Sequence, residues 1–186
     1  MVSKKGLFLD LDGTIITTAS GDKFPKDVND WKFNGRILDV LGIFSKKGFR
    51  ICIVTNQGGI EKGLVRESEI NIKLEKIANE IEKVTNFKPF YRFSLYVEEN
   101  FSRKPDPGMA YACALKLELS LLRSLMIGSK DSDRSFAAFS GIGTYFDIAE
   151  FLKIEEEDID VVMKHIDDLT NTRFVEINFN NGRHGN

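Results

Sequence analysis

The stretch Leu7-Phe8-Leu9-Asp10-Leu11-Asp12-Gly13-Thr14 decides the fold. Its apolar start reads as a short strand, and two aspartates stand at the strand's carboxyl end. Residues two apart on extended chain point to the same side, and a turn at Gly13 bends the chain just beyond them. Two like charges held together are costly to bury unless a cation sits between them. A hard ion that prefers oxygen ligands, magnesium, answers that need.

Working outward, short apolar runs alternate with helical spacing. Leu7–Leu9, Ile51–Val54, Phe93–Val97, Ser124–Ile127 and Thr144–Phe146 are the strand candidates. Ile37, Val40, Leu41 and Phe44 repeat at helical intervals, as do Ile70, Leu74, Ile77, Ile81 and Val84. Residues 110–117 and 135–139 are shorter helix candidates. Strand and helix in alternation predict an α/β fold, a mostly parallel sheet covered on both faces. In such a sheet the functional loops follow the carboxyl ends of strands. Asp10 to Asp12, Thr55-Asn56 and Gly128-Ser129 all occupy that position, so one crevice should collect them.

A chain of 186 residues, 42% hydrophobic and 29% charged, suits one globular domain with a core of its own. A net charge of −2 argues against coating a nucleic acid, though not against touching a strand end. Cys52 and Cys113 sit in apolar runs and read as core residues. No segment is apolar for long enough to span a membrane, and the basic start does not read as a secretion signal. A cytoplasmic or nuclear setting is expected, with no membrane partner. Residues 1–152 are expected to form the catalytic core. Residues 153–186, opening on Glu155-Glu156-Glu157-Asp158, are read as a solvated acidic helix and a loose tail; the sharper reading is a partner-docking extension, with Phe174-Val175-Glu176-Ile177 as a possible edge strand.

The Asp10-Leu11-Asp12-Gly13-Thr14 motif resembles the first motif of the haloacid dehalogenase superfamily. Thr17-Thr18, Ser20-Gly21, Phe24-Pro25 and Asp30-Trp31 resemble the phosphatase domain of polynucleotide kinase 3'-phosphatases. So do Val54 to Ile60, Arg103-Lys104-Pro105 with Gly108-Met109, and Asp133 to Ala137 before Gly141-Ile142. The resemblance runs from Gly6 to about Leu152. It implies a Rossmann-like three-layer sandwich and a capless core; the intervals from Asp12 to Thr55 and from Thr55 to Lys104 leave no room for a cap domain. It also implies a magnesium-dependent phosphomonoesterase working through an aspartyl-phosphate.

In that reading Asp10 is the nucleophile. Asp12 is the general acid and base, its pKa raised by apolar surroundings. Thr55 donates to a phosphate oxygen, and Lys104 bridges nucleophile and phosphate. Asn56, Arg103, Thr18 and the backbone N–H of Leu11 are expected to bind substrate, Arg103 through a two-pronged contact with phosphate. Magnesium is expected on Asp10, the Asp12 carbonyl, Asp133 and Ser129. The last is a departure, because the resembled pattern has an acidic residue directly after the glycine and this chain has Ser129. Asp131 is the other acidic candidate. Phe24 and Trp31 could stack on a base, or simply close a loop. His165 and His184 lie away from every motif and receive no catalytic role.

The leading expectation is removal of a 3'-phosphate from a nucleic-acid end, as in end repair. No Gly-x-x-x-x-Gly-Lys-Ser/Thr is present, so a kinase half is not expected. The alternative is a phosphatase for a small phosphorylated metabolite, of the histidinol-phosphate or heptose-bisphosphate type. Many of those carry a Cys/His zinc loop before the lysine motif, and residues 87–103 hold neither Cys nor His. A second alternative is a non-catalytic binding protein on the same fold.

Overall fold

Lys4–Leu9 forms β1, and the chain then turns at Gly13, whose φ of 88° favours a residue without a side chain. The turn closes through Gly13 N–H to the Ile16 carbonyl at 2.8 Å and Ile16 N–H to the Leu11 carbonyl at 3.1 Å. A small antiparallel hairpin follows, β2 (Ile16–Thr17) with β3 (Lys32–Phe33). Next come α1 (Ile37–Lys46), β4 (Phe49–Asn56), α2 (Glu67–Thr85), β5 (Phe90–Ser94), α3 (Gly108–Leu117) and β6 (Leu119–Gly128). The chain continues through α4 (Asp131–Ser140), β7 (Thr144–Asp147), α5 (Ile148–Phe151), α6 (Ile159–Asp168) and β8 (Val175–Glu176). This is a computed structural model, and it describes residues 4–169 and 175–176.

The main sheet has six strands in the order β5-β4-β1-β6-β7-β8, with every neighbouring pair parallel. The period of two along each strand sorts side chains onto two faces. Leu7, Leu9, Ile51, Ile53, Leu125 and Ile127 pack with the buried stripes of α1, α2 and α6. Phe8, Cys52, Val54 and Met126 pack on the other face with Met109, Cys113 and Phe136 of α3 and α4. This is the three-layer α/β sandwich. Each fully buried Leu or Ile contributes ~1.5–3 kcal/mol relative to leaving it in water. Both cysteines are free and buried.

Two elements differ from their expected form. β5 begins at Phe90 and ends at Ser94, where the expected strand ran to Val97. It pairs with β4 from Cys52 opposite Phe90 to Asn56 opposite Ser94, so it stops where its partner stops. The acidic segment is not solvated all round. Ile159, Val162 and Ile166 of α6 recur at helical spacing and are buried in the core cluster, so one face is apolar beneath the charged one. β8 pairs with β7 at the expected edge through Val175 and Glu176; Phe174, Ile177 and His184 lie outside the described residues. No helix among the described residues is long and apolar enough to cross a membrane. The hairpin and loops account for the interval between β1 and α1, and no separate domain is inserted among the described residues.

Candidate active site

Asp10 follows β1 and is 2% exposed. Lys104, from the loop entering α3, reaches it from across the crevice. The Lys104 ammonium donates to Asp10 Oδ1 at 2.7 Å, to the Val54 carbonyl at 2.8 Å and to Asp133 Oδ1 at 2.6 Å. All three N–H bonds of a lysine are thereby used, which is how a buried ammonium is tolerated. Burial pushes the Asp10 carboxyl up, but the charges of Lys104 and Lys130 and their hydrogen bonds outweigh it and hold it below the usual carboxylate range. Asp133 is pushed up, chiefly by burial and further by the nearby Asp10, against the pull of Lys104.

At the outer end, Asp12 does not lie in the apolar surroundings expected of it. Its side chain is 45% exposed, and its oxygens accept from Lys73 Nζ at 3.2 Å and Gln57 Nε2 at 2.8 Å. Gln57 also donates to Thr55 Oγ1 at 2.9 Å, joining Thr55 to the same group. A hydroxyl that accepts one bond still has a proton to give, so Thr55 can donate to a phosphate oxygen. Lys73 escaped notice in the sequence, although a signal was there. It sits on the buried stripe of α2 beside Ile70, Leu74, Ile77 and Ile81 and is itself buried. A lysine on the apolar face of an amphipathic helix requires a partner.

Lys130 is the second residue not foreseen. Its ammonium lies 3.0 Å from Asp10 Oδ2 and 3.2 Å from the Asp12 carbonyl oxygen. Burial pulls the Lys130 pKa down, but Asp10, Asp133 and Asp12 outweigh it and raise it. Those two oxygens are the donors expected to hold magnesium. Asp133, expected as a further ligand, has both oxygens engaged: Oδ1 by Lys104, and Oδ2 by the N–H groups of Ser129 at 3.1 Å and Lys130 at 3.2 Å. It is the first-turn acid that closes α4, and a Cβ on Gly128 would stand only 2.4 Å from it. Ser129 turns its hydroxyl toward the Gly13 turn and supplies no charge. Among the described residues no three His, Cys, Asp or Glu side chains stand together as a metal cluster. As arranged, the donor set does not fit a dication.

Other expected residues do different work. The Asn56 side chain donates to the Lys104 carbonyl and accepts the Lys104 N–H, each at 2.9 Å, so it clamps the lysine's backbone. Leu11 buries its side chain in the core, leaving only its backbone for the crevice. The Arg103 guanidinium donates to the Tyr96 carbonyl. Thr18 Oγ1 donates to the Asp22 carbonyl at 2.6 Å. Asp30 accepts from Ser20 N and Oγ, both at 2.7 Å, and from Lys26 N at 2.9 Å. Trp31 packs edge-on against Phe33, with ring centroids 5.6 Å apart, while Phe24 is 73% exposed.

A family profile described as polynucleotide kinase 3 phosphatase matches residues 5–132. The heptose-1,7-bisphosphate 7-phosphatase of Vibrio cholerae is 28% identical over 77% of this chain and 80% of its own length. That of Helicobacter pylori is 32% identical over 72% and 76%. Among solved structures, a haloacid dehalogenase-like phosphatase from Mesorhizobium loti superposes with a TM-score of 0.71 at 21% identity, covering 91% of this chain and 88% of that one. A D,D-heptose 1,7-bisphosphate phosphatase from B. bronchiseptica, solved with magnesium and phosphate, gives 0.64 at 22%, covering 75% and 78%.

These relatives overturn the 3'-phosphatase expectation, and they lend no support to the end-repair role or the nuclear setting attached to it. The curated relatives act on a phosphorylated sugar across three quarters of the chain. The segment that suggested a nucleic-acid end, Thr17 to Trp31, spends its signature residues on itself: Thr18, Ser20 and Asp30 tie the loop, and Trp31 anchors it. With a phosphatase fold, a buried aspartate at a strand end and a family match over most of its length, the chain belongs to the polynucleotide kinase 3 phosphatase family of the haloacid dehalogenase superfamily.

Proposed function

We propose that this chain hydrolyses the phosphomonoester of a small phosphorylated metabolite, of the sugar-bisphosphate class on which its curated relatives act. The observation that carries the chemistry is the Asp10 carboxylate, held ionised at a strand end by two ammonium groups. An Asp10 oxygen attacks phosphorus, the ester P–O bond breaks, and the leaving oxygen takes a proton from Asp12. Lys73 and Gln57 receive the carboxylate that is left. A water then attacks the aspartyl-phosphate, gives its proton back to Asp12, and releases phosphate and Asp10. Thr55, Lys104 and the Leu11 N–H stabilise the equatorial oxygens.

The loop before Lys104 needs no metal to hold its form. Asn100 accepts from Ser102 N at 3.0 Å and Ser102 Oγ at 2.8 Å through its side chain, and from Arg103 N at 2.7 Å through its carbonyl. The absence of Cys and His from residues 87–103 is therefore no obstacle to the sugar-phosphate reading. The test is a turnover panel of heptose bisphosphates, hexose and pentose phosphates and amino-alcohol phosphates, beside a 3'-phosphorylated oligonucleotide. A sugar phosphate should have the highest kcat/KM by at least ~10-fold. No release of phosphate from any small ester would sink the proposal.

A further inference from the structure

We infer that the Lys130 ammonium is this site's resident cation, standing where a divalent metal would otherwise join Asp10 to the Asp12 carbonyl. It lies within hydrogen-bond reach of both oxygens, 3.0 Å from Asp10 Oδ2 and 3.2 Å from the Asp12 carbonyl. A dication bound by the same pair would have to expel it, because an ammonium and a dication cannot share one position. The charges of the network agree. Asp10, Asp12 and Asp133 face Lys73, Lys104 and Lys130, so the charges match when Asp12 is ionised, and the lysines are in excess when Asp12 carries the proton it gives to the leaving group. A dication added to that set has no anion to balance it, since position 129 carries a serine hydroxyl and both Asp133 oxygens are taken.

The sequence change and the geometry explain each other. A carboxylate at position 129 would bring the charge that a hard dication needs. With Ser129 there, one positive charge suffices, and the next residue along the chain supplies it. Lys130 is placed for this because its backbone N–H is fixed to Asp133 at the start of α4, so its side chain starts from a rigid point. Its stem leaves from the crevice rim and half the side chain meets solvent, which lets an incoming phosphate group reach the ammonium. Asp10, neutralised by lysines alone, is then ready for a phosphate dianion with no metal in between.

The inference concerns the same site as the proposed function but is tested by binding. Melting temperature is measured for the whole chain in EDTA, with magnesium chloride, and with inorganic phosphate in either condition. Wild type should gain several degrees from ~10 mM phosphate in EDTA and nothing from ~10 mM magnesium alone, roughly the size of shift that ligand at many times its Kd gives. Lys130→Met should lose the phosphate shift in EDTA and acquire a magnesium shift. Lys130→Met with Ser129→Asp should bind magnesium at least ~10-fold more tightly than Lys130→Met, read by calorimetric titration. Lys130 is half-exposed, so these variants should fold; Lys130→Arg, which keeps a charge, should retain phosphate binding in EDTA. If wild type binds magnesium as tightly as Lys130→Met does, or takes up phosphate only with magnesium, the lysine is not the resident cation. A chain that shows the expected binding yet turns over no ester would refute the proposed function and leave this inference standing.

Discussion

The two ends of the crevice hold the same kinds of group in unlike surroundings. At the inner end the side chains of Asp10, Lys104 and Asp133 are each 2% exposed or less. At the outer end Asp12 is 45% exposed and Lys130 55%. Inside, a charge that loses its partner has no water to turn to, so geometry and stability depend on every member being present. Outside, water reaches Asp12 and Lys130 and screens their pairs, which add little to stability; Lys73 alone is buried there, with its ammonium on the half-exposed Asp12. Under the proposed function their work is to place charge where a phosphate arrives. Stability and chemistry are therefore separable along one line of residues a few ångströms long.

The largest expected effect comes from breaking the inner end. Lys104→Met leaves Asp10 and Asp133 buried without their shared cation and should cost ~3–5 kcal/mol in urea unfolding. It should abolish turnover as well. Asp10→Asn should lower turnover by on the order of 10⁴-fold or more, because an amide cannot become the phosphoryl-enzyme. Its stability loss should be smaller, since Lys104 keeps Asp133. Equal stability losses for the two variants would show that the inner end is not an ion network centred on Lys104.

Asn56→Ala comes next. It removes both hydrogen bonds that fix the Lys104 backbone and should cost ~1–3 kcal/mol. Its kcat should fall with KM little changed, because the lysine is misplaced and not missing. A rise in KM alone would return Asn56 to the substrate-binding role expected of it.

The meeting of Asp10, Asp12, Thr55 and Lys104 in one crevice was legible because each sits at a strand end or before a helix, where local sequence fixes the position of the chain. The charge partners were less so. Lys73 lies far along the chain from Asp12 and meets it only because α2 packs over the same strand ends. Its sole local mark is a lysine on an apolar stripe. Lys130 follows Ser129 in a polar loop, where nothing local marks one lysine as the partner of a distant Asp10. In α6 the run of acids drew the reading away from Ile159, Val162 and Ile166, which carry the helical period. Asp133 was expected on magnesium; in the structure its oxygens accept from Lys104, Ser129 and Lys130, contacts that only the folded crevice brings together.

The outer end offers a contrasting measurement. Lys73→Met keeps the apolar packing of α2 and removes one cation from a half-exposed carboxylate. Unfolding free energy should change by less than ~1 kcal/mol. Turnover should fall ~10–100-fold, with the loss concentrated in the acid–base step. An activated aryl phosphate, whose leaving group needs less protonation, should suffer less than an alkyl ester. If Lys73→Met destabilises the chain as much as Lys104→Met, the division between the two ends fails.

The smallest effect should appear in the loop outside both ends. Asp30 is partly exposed, and its carboxylate accepts from Lys26 and Ser20, which holds its pKa down to about 2 from an ordinary 3.8. A carboxyl lowered in the folded state stabilises the fold fully above its ordinary value and loses that contribution as pH falls through the folded one. The loop should therefore stay tied down to pH 3.8 and loosen toward pH 2. Trp31, the single tryptophan, adjoins Asp30 and packs on Phe33, so its emission reports the change. In Asp30→Ala the Ser20 and Lys26 amides should exchange faster at neutral pH while the melting temperature hardly moves. Trp31 emission in the wild type should begin to shift before far-UV circular dichroism does. If the two signals move together, the loop is no more independent of the core than the inner end is.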